Sequence, residues 1–259
     1  MIPHTAHIAA TASLGCYTPA VQAEAQAPES VRVRKEAATI QSMFAAIAPR
    51  YDLLNRLLSC NIDQRWRRRA VRLAAPEGPV LDVCTGTGDL AAAFVRQTGE
   101  PVVGVDFCEP MLRHGSDKAA CARVRFVRGD AMKLPLQSDR FDVVSVAFGI
   151  RNVFDLDAGL ADLVRVARPG GRIAILEFTM PKSAVIGALY RLYFGRVLPF
   201  IGNLVSRSNA YTYLNKSVLQ WTGEQELAAR LRRAGCERVD VFPLSFGIAA
   251  VHLGVKARA

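Results

Sequence analysis

Apolar residues along this chain fall into short runs and helical periods that alternate, which predicts a layered α/β domain. Runs with the length of a buried strand lie at 80–84, 101–106, 124–127, 141–146 and 172–178, with helical spacing at 90–95, 111–122 and 155–168 and closing strands at 239–242 and 248–256. Alternating strands and helices imply right-handed crossovers. We therefore expect a Rossmann-like, mainly parallel seven-stranded sheet with helices on both faces and an antiparallel C-terminal strand.

The first part of the chain differs in composition from this core. Residues 1–33 are rich in Ala, Thr, Pro and Gln and hold no acidic residue before Glu24, which predicts a disordered extension, with a targeting peptide as the alternative. Between 34 and 72 the apolar positions take helical spacing, so N-terminal helices are expected to precede the sheet. Residues 34–259 are predicted to form one folded domain.

Charge and cysteine content exclude several classes of protein. The formal net charge is +10, with arginine concentrated at 65–69 and 230–233. Such runs are typical of solvated helix faces, with anionic membrane lipid as an alternative partner, and without a nucleic-acid-binding signature we expect no nucleic acid. The six cysteines form no C-x-x-C pair and no cluster with histidine, which predicts reduced thiols in the cytoplasm and no metal.

A glycine-rich turn joins the first predicted strand to the next helix. It runs from Asp82 through Gly86, Thr87 and Gly88. Glycine is favoured there because a residue without Cβ lets the backbone approach a ligand closely. Asp106 ends the following strand, where a carboxylate can accept hydrogen bonds from both hydroxyls of a ribose. Together these features predict a ligand that contains a nucleoside.

The charges beside this turn distinguish one nucleoside ligand from another. The spacing is Gly86-x-Gly88 followed by Asp89, and a carboxylate in that place repels a pyrophosphate but suits a cation. S-adenosylmethionine (SAM) has a cationic methionine end. Asp130 and Ala131, after the third strand, fit a hydrogen bond with an adenine amino group. The sequence therefore predicts a SAM site, and ordinary turns with capping residues are the alternative.

Longer segments carry a more specific pattern. They are 43–52 with Asn55, 148–153 (Phe-Gly-Ile-Arg-Asn-Val), 165–171, 176–178 and 247–256. In these segments the chain resembles the ubiquinone/menaquinone biosynthesis C-methyltransferase family (UbiE/MenG), over about residues 40–256. The resemblance implies the class I methyltransferase fold, SAM as the methyl donor and a prenylated quinol as the acceptor.

The resemblance also implies roles for single residues. Thr87, Asp106, Asp130 and Ala131 occupy positions that bind SAM in the family, and segment 148–153 lies where the acceptor and the sulfonium would meet.

The chain departs from the family pattern at three positions. Asp63 replaces a histidine, Ala167 replaces a larger aliphatic residue, and Thr179 replaces a serine. Any role of that histidine therefore does not carry over to this chain.

Methylation of a ring carbon requires an electron-rich acceptor. A reduced quinol becomes a carbon nucleophile when a phenolic hydroxyl, with a pKa of about 10, loses its proton. We expect Arg151 to stabilise the phenolate, directly or through a water, and Asn152 to position that group through its amide. A salt-bridge or helix-cap role is the alternative for Arg151. Tyr51 and Asp52 are expected to supply a wall and a proton acceptor.

Residues 182–222 are predicted to form an insertion over the acceptor site. Segment 184–205 mixes aromatic and aliphatic residues with arginines such as Arg191, which suits an interfacial lid, and a buried helix of the substrate region is the alternative. Because a prenylated quinol dissolves in the membrane, we expect a cytoplasmic enzyme in transient, peripheral contact with the anionic inner face of the cell membrane. A homodimer is one oligomeric state that the sequence leaves open.

The function predicted from the sequence is C-methylation of demethylmenaquinol to menaquinol. By resemblance alone, the Val-Cys-Thr-Gly form of the turn at 83–86 favours a naphthoquinol. The alternatives are a 2-methoxy-6-polyprenyl-benzoquinol of the ubiquinone pathway, a sterol or phenol O-methyltransferase, an NAD-dependent oxidoreductase, and a non-catalytic SAM-binding scaffold of a quinone-synthesis complex. His252, in an apolar strand, is expected to be a core residue.

Overall fold

A twisted sheet forms the centre of the computed structural model, which describes residues 29–197, 217, 218, 221 and 223–258. Its strands are β1 Val80–Val83, β2 Val102–Asp106, β3 Val124–Arg128, β4 Phe141–Ala147, β5 Ala167–Phe178, β6 Cys236–Leu244 and β7 Ala249–Lys256. The described residues give seven strands in the order β3-β2-β1-β4-β5-β7-β6. All neighbouring strands are parallel except that β7 is antiparallel to both β5 and β6, as predicted.

Helices cover both faces of this sheet. The helices are α1 Glu29–Ile47, α2 Tyr51–Ser59, α3 Ile62–Ala74, α4 Asp89–Thr98, α5 Glu109–Ser116, α6 Leu156–Val166, α7 Ala184–Leu192 and α8 Glu224–Arg233. Leu163 of α6 and Leu231 of α8 share a buried cluster with Leu81 of β1. Phe94 of α4 packs into a second cluster with Val80. Adjacent strand residues point to opposite faces, so the two clusters lie on opposite sides of the sheet.

The bounds of several predicted elements differ in the structure. The predicted disordered extension, 1–33, lies outside the described residues up to residue 28, and α1 begins at Glu29. The helix expected over 111–122 ends at Ser116, and a separate turn follows at Ala119–Cys121. Between them Lys118 takes extended backbone, and its side chain reaches two carboxylates of the site. The strands predicted at 172–178 and 239–242 are longer, as β5 and β6.

His252 of β7 is a core residue, as expected. Its side chain is fully buried, its Nε2 lies 3.0 Å from the carbonyl oxygen of Glu224, and burial lowers its pKa. No helix in the described part of the chain is both long and apolar enough to cross a bilayer.

The parallel strands bring the predicted site residues to one edge. The turn after β1, Asp106 at the end of β2, Asp130 after β3 and Phe148 after β4 all follow carboxyl ends of neighbouring strands. In open α/β sheets this edge is where ligands bind.

Candidate active site

The glycine-rich turn after β1 is built from left-handed backbone. Gly86 has φ +57° and Gly88 has φ +82°, and Gly88 N–H donates to the Thr85 carbonyl at 2.9 Å. A Cβ on Gly86 would make ordinary contacts with Met111 Cε at 3.7 Å and Tyr51 Cε1 at 4.0 Å, so the positive φ and not a lack of space favours glycine there. A Cβ on Gly88 would lie 2.8 Å from Phe126 Cζ, so Gly88 also permits close packing. The role of both glycines in holding a ligand stays a prediction.

Asp106 is positioned to hold a diol. Gly86 N–H donates to its Oδ2 and Cys108 N–H to its Oδ1, each at 2.8 Å. Burial raises the pKa of this carboxyl, although the backbone hydrogen bonds oppose the shift. Each carboxylate oxygen has a second lone pair, so the group can still accept bonds from two ribose hydroxyls. The residues of this edge fit a nucleoside.

Asp82 lies behind the turn, away from the cleft. The hydroxyls of Thr85 and Ser145 donate to its two oxygens at 2.7 and 2.8 Å. Burial raises its pKa to about 6. Asp82 fastens the turn to β4 through these hydrogen bonds, and its predicted place among the ligand-binding residues stays a prediction.

Asp130 and Ala131 follow β3, as predicted. Asp130 is exposed, and its Oδ1 accepts the Met132 N–H at 2.9 Å, which fixes the loop at the edge of the cleft. Ala131 is almost buried. Their role in binding adenine stays a prediction.

A partly buried ionic network connects α2 to the turn. Lys118 Nζ lies 2.7 Å from Asp52 Oδ2 and 2.6 Å from Asp89 Oδ1, and Thr87 Oγ1 donates to Asp52 Oδ1 at 2.5 Å. Although burial opposes the shift, the positive charges of Arg67 and Lys118 hold the pKa of Asp89 below its usual value. Asp52, predicted as a proton acceptor for the quinol, is therefore engaged on the donor side. Asp89, predicted as a free charge beside the ligand, is paired as well.

Tyr51 covers the turn, which agrees with a wall. Its Cε1 would be 4.0 Å from a Cβ on Gly86, and its hydroxyl hydrogen bonds to the Asn55 side chain. Burial raises its pKa, and the charges of Arg151 and Asp106 act on it as well. Tyr51 thus lies against the glycine-rich turn, and its role as a wall of the acceptor site stays a prediction.

Arg151 is buried and ion-paired. Its Nη1 donates to Glu177 Oε1 at 2.6 Å and to the Phe148 carbonyl at 2.8 Å, and its Nε lies 3.4 Å from Ser217 Oγ. The contacts of Arg151 in this structure are therefore those of the salt-bridge alternative given in the sequence analysis. Asn152 is half-buried in the same short helical turn, Ile150–Asn152, and so stands next to Arg151.

Phe148 and Gly149 bring this second turn against the first. Phe148 has φ +59°, and a Cβ on Gly149 would lie 2.3 Å from Cys84 Cβ. No side chain fits between the two turns at this place. The Phe-Gly pair thus brings the predicted acceptor and donor turns into direct contact.

Aromatic side chains form the wall beside Arg151. The ring centroids of Phe148 and Phe178 are 4.7 Å apart, and Trp66 lies about equally far from both, at 6.1 and 6.2 Å. The guanidinium of Arg67 stacks over Phe148 at 5.3 Å, and that of Arg151 over Phe178 at 5.5 Å. The wall is thus aromatic, with its rings tilted against each other, and is flanked by two cations, which suits an aromatic ring that becomes an anion.

Comparison with known proteins identifies the group to which this arrangement belongs. The model of the ubiE/COQ5 methyltransferase family matches residues 31–256. The chain belongs to this family. It is 49% identical over 218 residues to a demethylmenaquinone methyltransferase of Thermus thermophilus, which covers 82% of this chain and 99% of the relative. It is 45% identical to the ubiquinone/menaquinone biosynthesis C-methyltransferase UbiE of Geobacter sulfurreducens, over 87% of this chain and 91% of the relative.

A solved structure supports the fold alone. A SAM-dependent methyltransferase of Thermotoga maritima, described as a possible histamine N-methyltransferase, superposes with a TM-score of 0.59 at 20% identity, over 83% of this chain and 99% of that one. The predicted class I fold and the assignment as a SAM-dependent methyltransferase of the ubiE/COQ5 family are thus confirmed.

Sequence reasoning missed two charged residues of this ubiE/COQ5 site. An acidic residue inside an apolar strand is unusual, and this feature of the sequence could have identified Glu177. Its pairing with Arg151 could not be predicted, because the pairing depends on the adjacency of β4 and β5. Lys118 lies in a stretch read as a surface helix, and no sequence signal distinguishes it.

Asp63, which replaces the family's usual histidine, is also accounted for. It is buried, accepts the Ser59 hydroxyl at 2.7 Å and lies 3.6 Å from Arg67 Nε. The carboxylate of Asp63 therefore lies beside the Arg67 guanidinium, which stacks on Phe148.

A cavity of about 370 Å³ opens on the far side of Phe178. It is lined by residues of the segment after β5, by Val218 and Trp221, and by the start of α8. In the predicted insertion, 182–222, the structure describes α7 and the turn Tyr193–Val197, while most of 198–222 lies outside the described residues.

Proposed function

We propose that this enzyme methylates a ring carbon of a reduced prenylated naphthoquinone, converting demethylmenaquinol to menaquinol. The observation that carries the proposal is the contact between the Gly149 turn and Cys84, which places an aromatic wall with the Arg151–Glu177 pair directly beside the SAM-type turn. Relatives named demethylmenaquinone methyltransferase, at 49% and 47% identity, agree with this choice of acceptor.

The chain's own residues suit both ligands. Gly86 and Asp106 would hold the nucleoside of SAM, and Asp130 with Ala131 its adenine. SAM supplies a methyl group on a positively charged sulfur. A quinol ring would stack on Phe148 and Phe178, and the cavity beside Phe178 could accept part of a prenyl chain.

A surface beside this site favours contact with the cytoplasmic face of an anionic membrane. On α2 and α7, large aliphatic side chains are 49–71% exposed: Leu53, Leu57, Val185, Leu189 and Leu192. The two helices adjoin, because Leu54 and Tyr190 share one buried cluster. The exposed charges on and beside them are basic and include Arg50, Arg56, Lys182 and Arg191. We call the five aliphatic residues the apolar face.

The test is to incubate the enzyme with isotopically labelled SAM and reduced acceptors of both ring types, and to identify the product by mass spectrometry. We expect one labelled methyl group on a ring carbon of demethylmenaquinol. Label only on a benzoquinol would support the ubiquinone-pathway alternative. The name of the relative from Geobacter sulfurreducens includes both quinones. SAM binding without any methylated product would favour the alternative of a non-catalytic SAM-binding scaffold.

A further inference from the structure

Glu177 carries an unused acceptor atom at the centre of the molecule. Its side chain is fully buried, and Oε1 accepts both Arg151 Nη1 at 2.6 Å and Phe178 N–H at 2.9 Å. Oε2 is also buried, and no hydrogen-bond partner is found for it among the residues that the structure describes. An unsatisfied buried carboxylate oxygen is costly, so such an atom needs an explanation.

The charge of Glu177 acts on residues of two neighbouring elements. Burial raises the pKa of the Cys84 thiol on the donor turn, and the charge of Glu177 adds to the shift. Burial also raises the pKa of Tyr190 on α7, where Arg151 and Glu177 act in opposite directions. The carboxylate therefore lies within electrostatic range of the donor turn on one side and of the helix that bears the apolar face on the other.

We propose that Glu177 is a catalytic residue that takes the phenolic proton of the acceptor on Oε2, while Arg151 pairs with the resulting phenolate. This inference rests on the proposed function, since it requires a quinol beside Phe148 and Phe178.

The step balances in atoms and charge. The phenolic O–H bond breaks, and its proton goes to Glu177 Oε2. The ring carbon then forms a bond with the methyl group, while the methyl–sulfur bond breaks and leaves its electron pair on sulfur. The methylated carbon loses its hydrogen as a proton to water, and Glu177 returns its proton to the ring oxygen. The net products are methylated quinol, S-adenosylhomocysteine and one proton.

A role for Glu177 as the proton acceptor explains why the buried Arg151–Glu177 ion pair is present at this place. Buried pairs contribute little net stability, because desolvation offsets their attraction. When the proton moves to Glu177, Arg151 loses one anionic partner and gains another, so no net charge is created inside the protein. Burial raises the pKa of Glu177, which brings it closer to that of its substrate and makes it a better base. Asp52, the earlier candidate, is occupied by Lys118 and Thr87.

The test compares Glu177→Gln with the wild type in turnover and SAM binding. Glutamine keeps the shape and an oxygen for Arg151 but cannot take the proton. We expect kcat to fall by about 100-fold to 10,000-fold, the usual range for a general base, with the SAM dissociation constant changed less than about threefold. Asp157→Asn, an exposed carboxylate-to-amide change on α6, is the control and should leave kcat unchanged.

The pH profile separates a proton acceptor from a structural residue. Wild-type kcat/KM should fall as the pH drops through the raised pKa of Glu177, because only its carboxylate accepts the proton. In Glu177→Gln the levelling-off above that pKa should be absent, and activity should keep rising about tenfold per pH unit through and above it, because the phenol then has to ionise on its own.

Two results would overturn the inference: Glu177→Gln with kcat within tenfold of the wild type, or Glu177→Gln with a pH profile that levels off at the same pH as the wild type. If the glutamine variant does not fold, Glu177→Asp serves instead, and it should be slower yet retain a pH profile that levels off. A wild type that methylates no quinol would refute the proposed function itself, whereas an active wild type with an equally active Glu177→Gln refutes only the role of Glu177.

Discussion

At the scale of single residues, the site depends on a glycine whose lack of a Cβ lets two turns meet. Gly149 and Cys84 lie so close that one Cβ is all the space allows, and Cys84 itself has φ +52°, a conformation that favours glycine. The family mark Phe-Gly-x-Arg-Asn could be recognised in the sequence. Its physical reason could not, because the clash involves a residue 65 positions away, on another strand.

Gly149→Ala should destabilise the protein by at least about 2 kcal/mol, because the new Cβ would overlap Cys84 Cβ. Thermal unfolding should show a drop of roughly 5 °C or more. Adding Cys84→Gly should restore most of this loss, because it removes the opposing Cβ at a φ that suits glycine. Cys84→Ala keeps that Cβ and should not. Equal recovery by both changes would mean that the clash is not the cause.

Asp82 predicts a pH dependence of stability. Its pKa is raised by burial from 3.8 to about 6, so the folded state binds the proton more tightly than the unfolded chain. The stability from this group is complete below pH 4 and is lost as the pH rises towards 6, by up to about 3 kcal/mol. The free energy of unfolding of Asp82→Asn, relative to wild type, should therefore rise between pH 4 and 7 in urea titrations. A pH-independent difference would show that Asp82 titrates normally.

At the scale of elements, the order of strands and helices could be predicted because each element keeps one hydrophobic period. Their ends were less predictable where a tertiary contact decides. Helix α5 stops before Lys118, and that lysine joins Asp52 of α2 and Asp89 of α4, a pairing across three separate segments. The Arg151–Glu177 pair escaped prediction for the same reason, since it needs β4 and β5 to be neighbours.

Lys118→Met should loosen α2 from the donor turn, because it leaves Asp52 and Asp89 as unpaired, partly buried carboxylates. Calorimetry should show SAM binding weakened by about tenfold or more, equivalent to about 1.4 kcal/mol. Arg113→Met removes only an exposed ion pair on α5 and serves as the control. Adding Asp52→Asn should recover part of the affinity by removing one of the two charges. Unchanged affinity in Lys118→Met would show that the network does not support the donor site.

At the scale of the whole molecule, binding of donor, acceptor and membrane would share one edge of the sheet. The apolar face lies on the two helices whose inner sides, through Leu54 and Tyr190, pack beside the acceptor region. A membrane-dissolved quinol would then reach the site without crossing bulk water.

The apolar face predicts binding to anionic vesicles. Replacing Leu53, Leu57 and Leu189 together with serine should reduce flotation on phosphatidylglycerol-containing vesicles at least severalfold, because each exposed side chain loses its burial in lipid. Wild-type binding should also fall on purely zwitterionic vesicles, where the arginines gain nothing. Phe154→Ser, an exposed aromatic before α6, is the control. Equal flotation of the triple variant and wild type would exclude this surface.

The position of β7 has a consequence for folding. This strand lies between β5 and β6, and its Ala250 pairs with Glu177. The edge of β5 that carries this glutamate is thus closed by residues 73 positions further along the chain. Until that long-range contact forms, the β5 edge stays unpaired, so the part of the site around Glu177 should be among the last regions to acquire its native structure.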